Sequence, residues 1–310
     1  MRPGRAGRAG ALRSCTLAAL LAGGAASALA ASDALRFCNG AAALTARQQD
    51  RLLRVAARLQ QLLDGSGQRL ALLARSGLNL KRFGLRYSHA GISLRHSPHT
   101  PWAVRQLYYA CDEGQSLLFD QGLAGFLFGT DNADAGHVSV LLLPAAPAAA
   151  LEKVALDKTI ALQLLAAQYS ANAYPFSTRY QNCNQWLAEM LATAWGGLAG
   201  SAQPREAAQA WLKHSGYAPA PVAVRSHLLM FAGGFAPWLR YDDHPEADRF
   251  ALRFQTSVPE AIEAFLLQRE PLARRVELCH NTRQLVLRQG WTALSDDCRA
   301  EPGDEVMTLD

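Results

Sequence analysis

The run Tyr180-Gln181-Asn182-Cys183-Asn184-Gln185-Trp186 restricts the fold more than any other, because it predicts a helix whose first residue is a cysteine. Apolar residues follow at Trp186, Leu187, Met190, Leu191, Ala194 and Trp195. Steps of three and four put them on one helical face. Asn182 is a favoured N-cap type, and Gly196-Gly197 supplies a C-terminal stop. Cys183 lies on the same stripe, so its sulfur faces whatever the helix packs against. A thiol at a helix N-terminus meets unsatisfied N–H groups and partial positive charge, which favour the thiolate. The competing reading is a small buried core residue.

The setting of this thiol depends on its compartment. Residues 1–30 read as a secretory leader. Arg2, Arg5, Arg8 and Arg13 form a basic start, residues 15–26 are small to apolar, and Ala28-Leu29-Ala30 fits the cleavage pattern. A periplasmic or secreted chain beginning near Ala31 is therefore expected. Cys15 precedes the apolar run instead of following it and is not a lipidation candidate. No later apolar run is long enough to span a bilayer. Four of the 31 basic residues and none of the 26 acidic ones fall in the leader, leaving 27 against 26. That near balance gives no case for a nucleic-acid partner or an anionic membrane.

An oxidising compartment pairs thiols. Beyond the leader stand Cys38, Cys111, Cys183, Cys279 and Cys298, an odd number, so at least one stays free. Cys279 and Cys298 can close a local loop, and Cys38 with Cys111 can tie an N-terminal arm to a strand. This arrangement leaves Cys183 over, although the connectivity stays open. No CxxC pair or zinc-type spacing occurs, and neither metal nor cofactor is expected.

Thr45 and Gln48 form a capping box opening an amphipathic helix over 46–63. Residues 70–75 read as a short strand. Residues 85–94 read as another, with Leu85, Tyr87, His89, Gly91 and Ser93 on one face. A Pro-containing turn leads to a strand over 102–110, with Trp102, Val104, Gln106 and Tyr108 on one face, which suggests an antiparallel pair. Further strands are expected at 116–119 and 137–143, with a Gly/Phe-rich stretch at 122–128, a polar acidic loop at 129–136, and one long helix at 148–168. Beyond residue 200 the pattern predicts helices at 204–213, 223–231 and 259–267, a strand at 250–255, and a hairpin at 276–287. Asp242-Asp243-His244 reads as an exposed charged turn. The division is then a leader at 1–30, a core with an N-terminal helix at 31–200, and a C-terminal extension packed on the core at 201–310.

A cysteine nucleophile needs a base within hydrogen-bond reach and a group that holds the base's ring. His89 is the best candidate among the 8 histidines, being mid-strand among small or apolar residues, with Gly91 leaving room beside the imidazole. The bland alternative is a satisfied core histidine. His137, which opens a strand, is the runner-up base.

Ser88-His89-Ala90-Gly91-Ile92, followed much later by Asn182-Cys183-Asn184-Gln185-Trp186, resembles the circularly permuted branch of the papain-like thiol hydrolases. That branch includes NlpC-type and lecithin:retinol acyltransferase-type enzymes. Its order of histidine strand, polar strand and cysteine helix is the order found here. More narrowly, the chain resembles an exported bacterial family, domain-of-unknown-function family 2145. The matching pieces are Phe37-Cys38-Asn39, Tyr87-Ser88-His89-Ala90-Gly91, Trp102-Ala103-Val104-Arg105-Gln106-Leu107, Asp120-Gln121-Gly122-Leu123 and Asn182-Cys183-Asn184-Gln185-Trp186.

The resemblance implies an α+β, papain-like, circularly permuted fold, with an antiparallel sheet packed on the cysteine-bearing helix and extra C-terminal helices. It implies a third polar residue after the histidine strand, where this chain has Gln106 and many relatives carry a histidine or an acid. A glutamine fixes the tautomer but supports an imidazolium less than a carboxylate does. The implied roles are Cys183 as nucleophile and His89 as base and then acid. The Cys183 N–H would serve as an oxyanion donor, with Asn182, Gln181 or Tyr180 as a second. The expected partner is a peptide or acyl substrate, with amide bonds in peptidoglycan peptides foremost and a lipid or thioester acyl bond as the alternative. A second class of function is a non-catalytic papain-like shell that binds an envelope peptide or partner protein, which the Gln106 departure keeps open.

Overall fold

Alternation along the strands sorts the apolar side chains onto two faces of one sheet, and helices cover both. The computed structural model describes residues 44–110 and 113–309. The leader, Cys38 and Cys111 lie outside them. Helix α1 (Ala46–Gly65) starts at the expected capping box: the Thr45 side chain accepts from Gln48 N, and the Gln48 side chain accepts from Thr45 N. Strands β1 (Leu70–Arg75), β2 (His89–Leu94), β3 (Ala103–Ala110) and β4 (Gln115–Gln121) follow, then the short helix α2 (Leu123–Phe128) and β5 (Gly136–Leu142). Helices α3 (Ala145–Leu156), α4 (Lys158–Gln163), α5 (Cys183–Trp195) and α6 (Pro204–His214) come next. Strands β6 (Ala220–Ala223) and β7 (Arg253–Thr256) pair with each other, apart from the large sheet. Strands β8 (Arg274–His280), β9 (Gln284–Gln289) and β10 (Glu305–Thr308) close the series.

The large sheet has eight strands in the order β10-β9-β8-β5-β1-β2-β3-β4, with every neighbouring pair antiparallel. Leu70, Leu72, Ala90, Ile92 and Leu94 pack with α3, α5 and the helix Pro259–Arg269. Ala71, Leu73, Val104, Val138 and Val140 face α1 and α2 on the other side. The chain is thus an α+β protein built on a large antiparallel sheet. Among the described residues no helix is long and apolar enough to cross a membrane.

Several expectations are corrected. From the expected C-terminal extension, β8, β9 and β10 complete the sheet beside β5, and Val276, Leu278, Leu285 and Leu287 enter the core under α1. Without β8 the β5 edge would expose unpaired backbone groups. The expected helix at 148–168 is two helices, because the Asp157 side chain accepts from Thr159 N and Ile160 N and restarts the chain as an N-cap. Residues 123–128 form a helix whose Phe126 and Leu127 are buried. Asp243 and His244 are not an exposed turn. An Asp243 oxygen accepts from Tyr174 N at 2.9 Å, the His244 ring bonds Asn172 O at 2.7 Å, and both side chains are buried.

Candidate functional site

Asn182 caps α5 as the residue type predicts: its Oδ1 accepts from Gln185 N at 2.7 Å. Its Nδ2 donates to Ala171 O, Thr256 Oγ1 and Ser257 O, which pins the helix mouth to the preceding loop and to β7. Deeper in α5, Glu189 is fully buried. Its carboxylate accepts from Arg205 Nε at 2.9 Å, Gln181 Nε2 at 2.6 Å, Gln209 Nε2 at 2.8 Å and Gln185 Nε2 at 3.2 Å. Arg205 also donates to Thr178 O and Tyr180 O. One buried carboxylate therefore holds α6 and the loop entering α5 together, and its desolvation is offset by these donors.

The histidine strand is set by a second such carboxylate. Glu277 of β8 accepts from Tyr87 Oη at 2.5 Å, Arg86 Nη1 at 2.8 Å and Leu294 N at 2.7 Å. Strands β2 and β3 pair only where Ile92, Ser93 and Leu94 meet Arg105, Val104 and Ala103. From His89 to Gly91, β2 keeps β1 alone as partner, while β3 beyond Arg105 keeps β4 alone. The two strands therefore part at Gly91. A Cβ there would lie 2.6 Å from Val104 Cγ1 and 2.9 Å from Arg105 O, so this glycine permits the strands' close approach instead of opening room beside the imidazole.

A cavity of about 420 Å³ lies at this fork. Cys183 reaches it from the α5 side, and His89, Gln106 and Arg75 reach it from the opposite face of the sheet. Tyr109 and Tyr169, stacked with centroids 4.7 Å apart, supply an aromatic wall. His89 Nε2 is hydrogen-bonded to Gln106 Oε1, and Gln106 Nε2 donates to Gln121 Oε1 at 2.6 Å. This chain of amides presents an oxygen to the ring, so the assigned tautomer carries its proton on Nε2 and leaves Nδ1 unprotonated. Among the described residues no hydrogen bond joins His89 to Cys183.

Cys183 is the free cysteine among the described residues and is buried. Its sulfur faces the backbone N–H groups of Asn184 and Cys183, which favour the thiolate, as does Arg75. Burial outweighs them and pushes the thiol up to about 11. Burial, reinforced by Arg75, pushes the His89 imidazole down to about 3, against the hydrogen bond that its ring donates to Gln106. The resting pair at neutral pH is a thiol and a neutral imidazole, not the thiolate that the helix mouth alone would favour.

The other expected site residues fall elsewhere. The Asn182 side chain is the cap. Gln181 is fully buried, with Oε1 accepting from Ala166 N and Nε2 donating to Leu164 O. Tyr180 Oη donates to Asp242 at 3.3 Å. All three side chains are engaged in structure and none lines the cavity, which leaves the N–H groups at the start of α5 as the donors facing the sulfur. The runner-up His137 sits 3.0 Å from Cys279 Sγ, and Cys279 is disulfide-bonded to Cys298. His137 and those two sulfurs lie within 4.8 Å of one another, but the disulfide occupies both thiols. The sequence reading missed Arg75. Its signal was an arginine that alternation places on the core-facing side with Ala71 and Leu73.

Fold and site together define an α+β protein whose buried free thiol, at a helix mouth, shares a cleft with a histidine–glutamine pair and a buried arginine. A family model described as "Uncharacterized protein conserved in bacteria (DUF2145)" matches residues 62–266, and the chain belongs to that family. Arg75, His89, Gln106 and Cys183 all fall inside the matched span. No curated protein and no solved structure matches the chain.

Proposed function

We propose that the protein is an exported thiol hydrolase or acyltransferase acting on an amide or ester acyl bond, with Cys183 as nucleophile and His89 as base. The observation that carries this reading is the hydrogen bond that His89 Nε2 donates to Gln106 Oε1, which leaves the Nδ1 lone pair free on a ring lining the cavity that holds the free thiol. Chain order supports a circularly permuted papain-like core: the histidine strand precedes the glutamine strand, and α5 packs on both.

The chemistry starts from a neutral pair. His89 Nδ1 takes the thiol proton as the sulfur bonds to the acyl carbon. The carbonyl oxygen gains negative charge and meets the N–H groups of Cys183 and Asn184. The imidazolium then gives its proton to the leaving nitrogen or oxygen, and water or an acceptor hydroxyl releases the acyl group from sulfur. Because the leader reading places the protein in the envelope, amide bonds of peptidoglycan peptides are the proposed substrates. The raised thiol and the missing His89–Cys183 bond favour a second reading, a papain-like shell that binds an envelope peptide without turnover.

Alkylation of Cys183 by iodoacetamide between pH 5 and 9 separates the two, with His89→Ala alongside. A positioned base contributes about 100-fold or more. The hydrolase reading expects a drop of about that size in His89→Ala at pH 7. Equal rates in the two proteins would remove the catalytic reading and leave the binding shell.

A further inference from the structure

Six arginines among the described residues are buried: Arg51, Arg75, Arg105, Arg205, Arg275 and Arg288. Five of them hold a carboxylate. Arg51 pairs with Asp134 at 2.7 Å, Arg105 with Asp120 at 2.6 Å, Arg205 with Glu189 at 2.9 Å, Arg275 with Glu263 at 3.2 Å and Arg288 with Asp304 at 2.7 Å. Arg75, only 7 % exposed, has no carboxylate within 4.0 Å among the described residues. Burying a cation is costly unless it is paired, so the contrast calls for a cause.

Among the described residues no direct contact of Arg75 carries a counter-charge. Its Nη1 makes one long bond to Ser76 O at 3.4 Å, and its Nε is buried without a partner. The guanidinium carbon sits 5.2 Å from the centroid of Phe126, so an aromatic face supports it instead of an anion. Gly77 and Gly129 close against its nitrogens with no space for a Cβ, which shapes a slot around the group. Asp131 lines the same cavity and its charge acts on Arg75 from a distance, but the two form no direct ion pair, and Asp131 Oδ2 accepts from Asn79 N at 2.9 Å. Cys183 is protonated at rest and supplies no charge.

We propose that Arg75 binds a carboxylate of the substrate, so that the acyl group offered to Cys183 belongs to a molecule with a free carboxylate close to the scissile bond. A guanidinium fork matches the planar carboxylate in two parallel bonds. Asp131 in the same cavity disfavours a more highly charged anion such as a phosphate dianion. The position of the scissile bond rests on the thiol-hydrolase reading, whereas carboxylate capture by Arg75 does not.

The test is calorimetric titration of the full mature chain with four small ligands. N-acetylalanine carries a main-chain carboxylate and N-acetylalaninamide is its neutral match. N-acetylglutamic acid α-amide carries a side-chain carboxylate and N-acetylglutamine amide is its neutral match. At least one carboxylate is expected to bind tenfold or more tighter than its amide, and which one does so tells a peptide terminus from an acidic side chain. Arg75→Met should abolish that preference, and Arg75→Lys, which keeps the charge without the fork, should reduce it. Equal binding of acids and amides, no binding of either, or a preference that survives in Arg75→Met or is undiminished in Arg75→Lys would overturn the inference. Alkylation keeps the two proposals apart. Arg75-dependent carboxylate binding without His89-dependent alkylation sinks the hydrolase reading alone. His89-dependent alkylation without carboxylate preference sinks this inference alone.

Discussion

Glu189→Met tests the claim that one buried carboxylate holds the cysteine helix in register with the loop that feeds it. The substitution keeps most of the side-chain volume and removes both oxygens. Arg205 is then left buried with only Thr178 O and Tyr180 O as acceptors. The amides of Gln181, Gln185 and Gln209 each retain a backbone carbonyl, so their loss is small beside the stranded cation. Breaking a buried pair from one side costs about 3–5 kcal/mol. At about 2–4 °C per kcal/mol for a domain of roughly this size, the melting temperature should fall by on the order of 10 °C. Adding Arg205→Met removes the stranded charge, and apolar replacement of a whole buried pair is often close to neutral. The double variant should therefore recover about 2 kcal/mol or more relative to Glu189→Met. Thermal unfolding followed by circular dichroism reads all four corners of the cycle. A loss below about 1 kcal/mol in Glu189→Met, or strict additivity in the double variant, would refute the assigned role.

Acidification should destabilise the protein through its buried histidines. His89 is pushed down to about 3 and His280 to about 4, mainly by burial, so between roughly pH 4 and 6.5 the unfolded chain binds protons that the native state does not. Stability should fall as pH drops through that window, and a melting temperature that stays flat from pH 7 to 4.5 would contradict it. Cys183 acts at the other end: its raised thiol favours the native state below about 9 and that contribution is lost as pH rises towards about 11. Gln106→Glu places a carboxylate on the His89 ring, which should raise the imidazole and speed alkylation of Cys183 at pH 6 by at least about tenfold, with an unchanged rate as the contrary result. Gly91→Ala pushes a methyl group against Arg105 O and Val104 at the fork, and should cost about 1–3 kcal/mol in urea unfolding, whereas a neutral substitution would mean that the fork does not depend on close strand approach.

Sequence and structure agree where the cause is local. The α1 capping box and the Asn182 cap with its apolar stripe are satisfied within one or two turns, so residue types at fixed spacing were enough. The family resemblance also put Gln106 on the strand after the histidine strand, where its side chain meets the His89 ring. What stayed hidden depends on partners far along the chain. The fork at Gly91 is a property of register between β2 and β3, not of either strand. The sheet membership of the C-terminal strands rests on Gly136 to Leu142 pairing with Arg274 to His280 across more than a hundred residues. Asp243 and His244 looked like a surface turn because their partners, Tyr174 and Asn172, lie in a loop with no periodicity to announce it. Arg75 gave only a weak signal for a related reason: ending an apolar run is ordinary, and only the carboxylates held by the other buried arginines make its lack of one among the described residues informative.

The proposed site divides its charges unusually, and the division accounts for Gln106. A carboxylate facing the ring would stabilise an imidazolium and so favour a thiolate–imidazolium pair at rest. Arg75 already places a permanent cation beside both groups, and it depresses His89 while favouring the Cys183 thiolate. A second resting cation on the ring would repel the first inside a poorly solvated cleft. A neutral amide at position 106 avoids that conflict: it fixes the tautomer, leaves the ring unprotonated, and leaves the positive charge with Arg75. On the proposed reading, a substrate carboxylate that settles on Arg75 neutralises the cation that holds the His89 imidazole down. Binding itself then raises the ring's affinity for the thiol proton, so the base strengthens further when substrate is present.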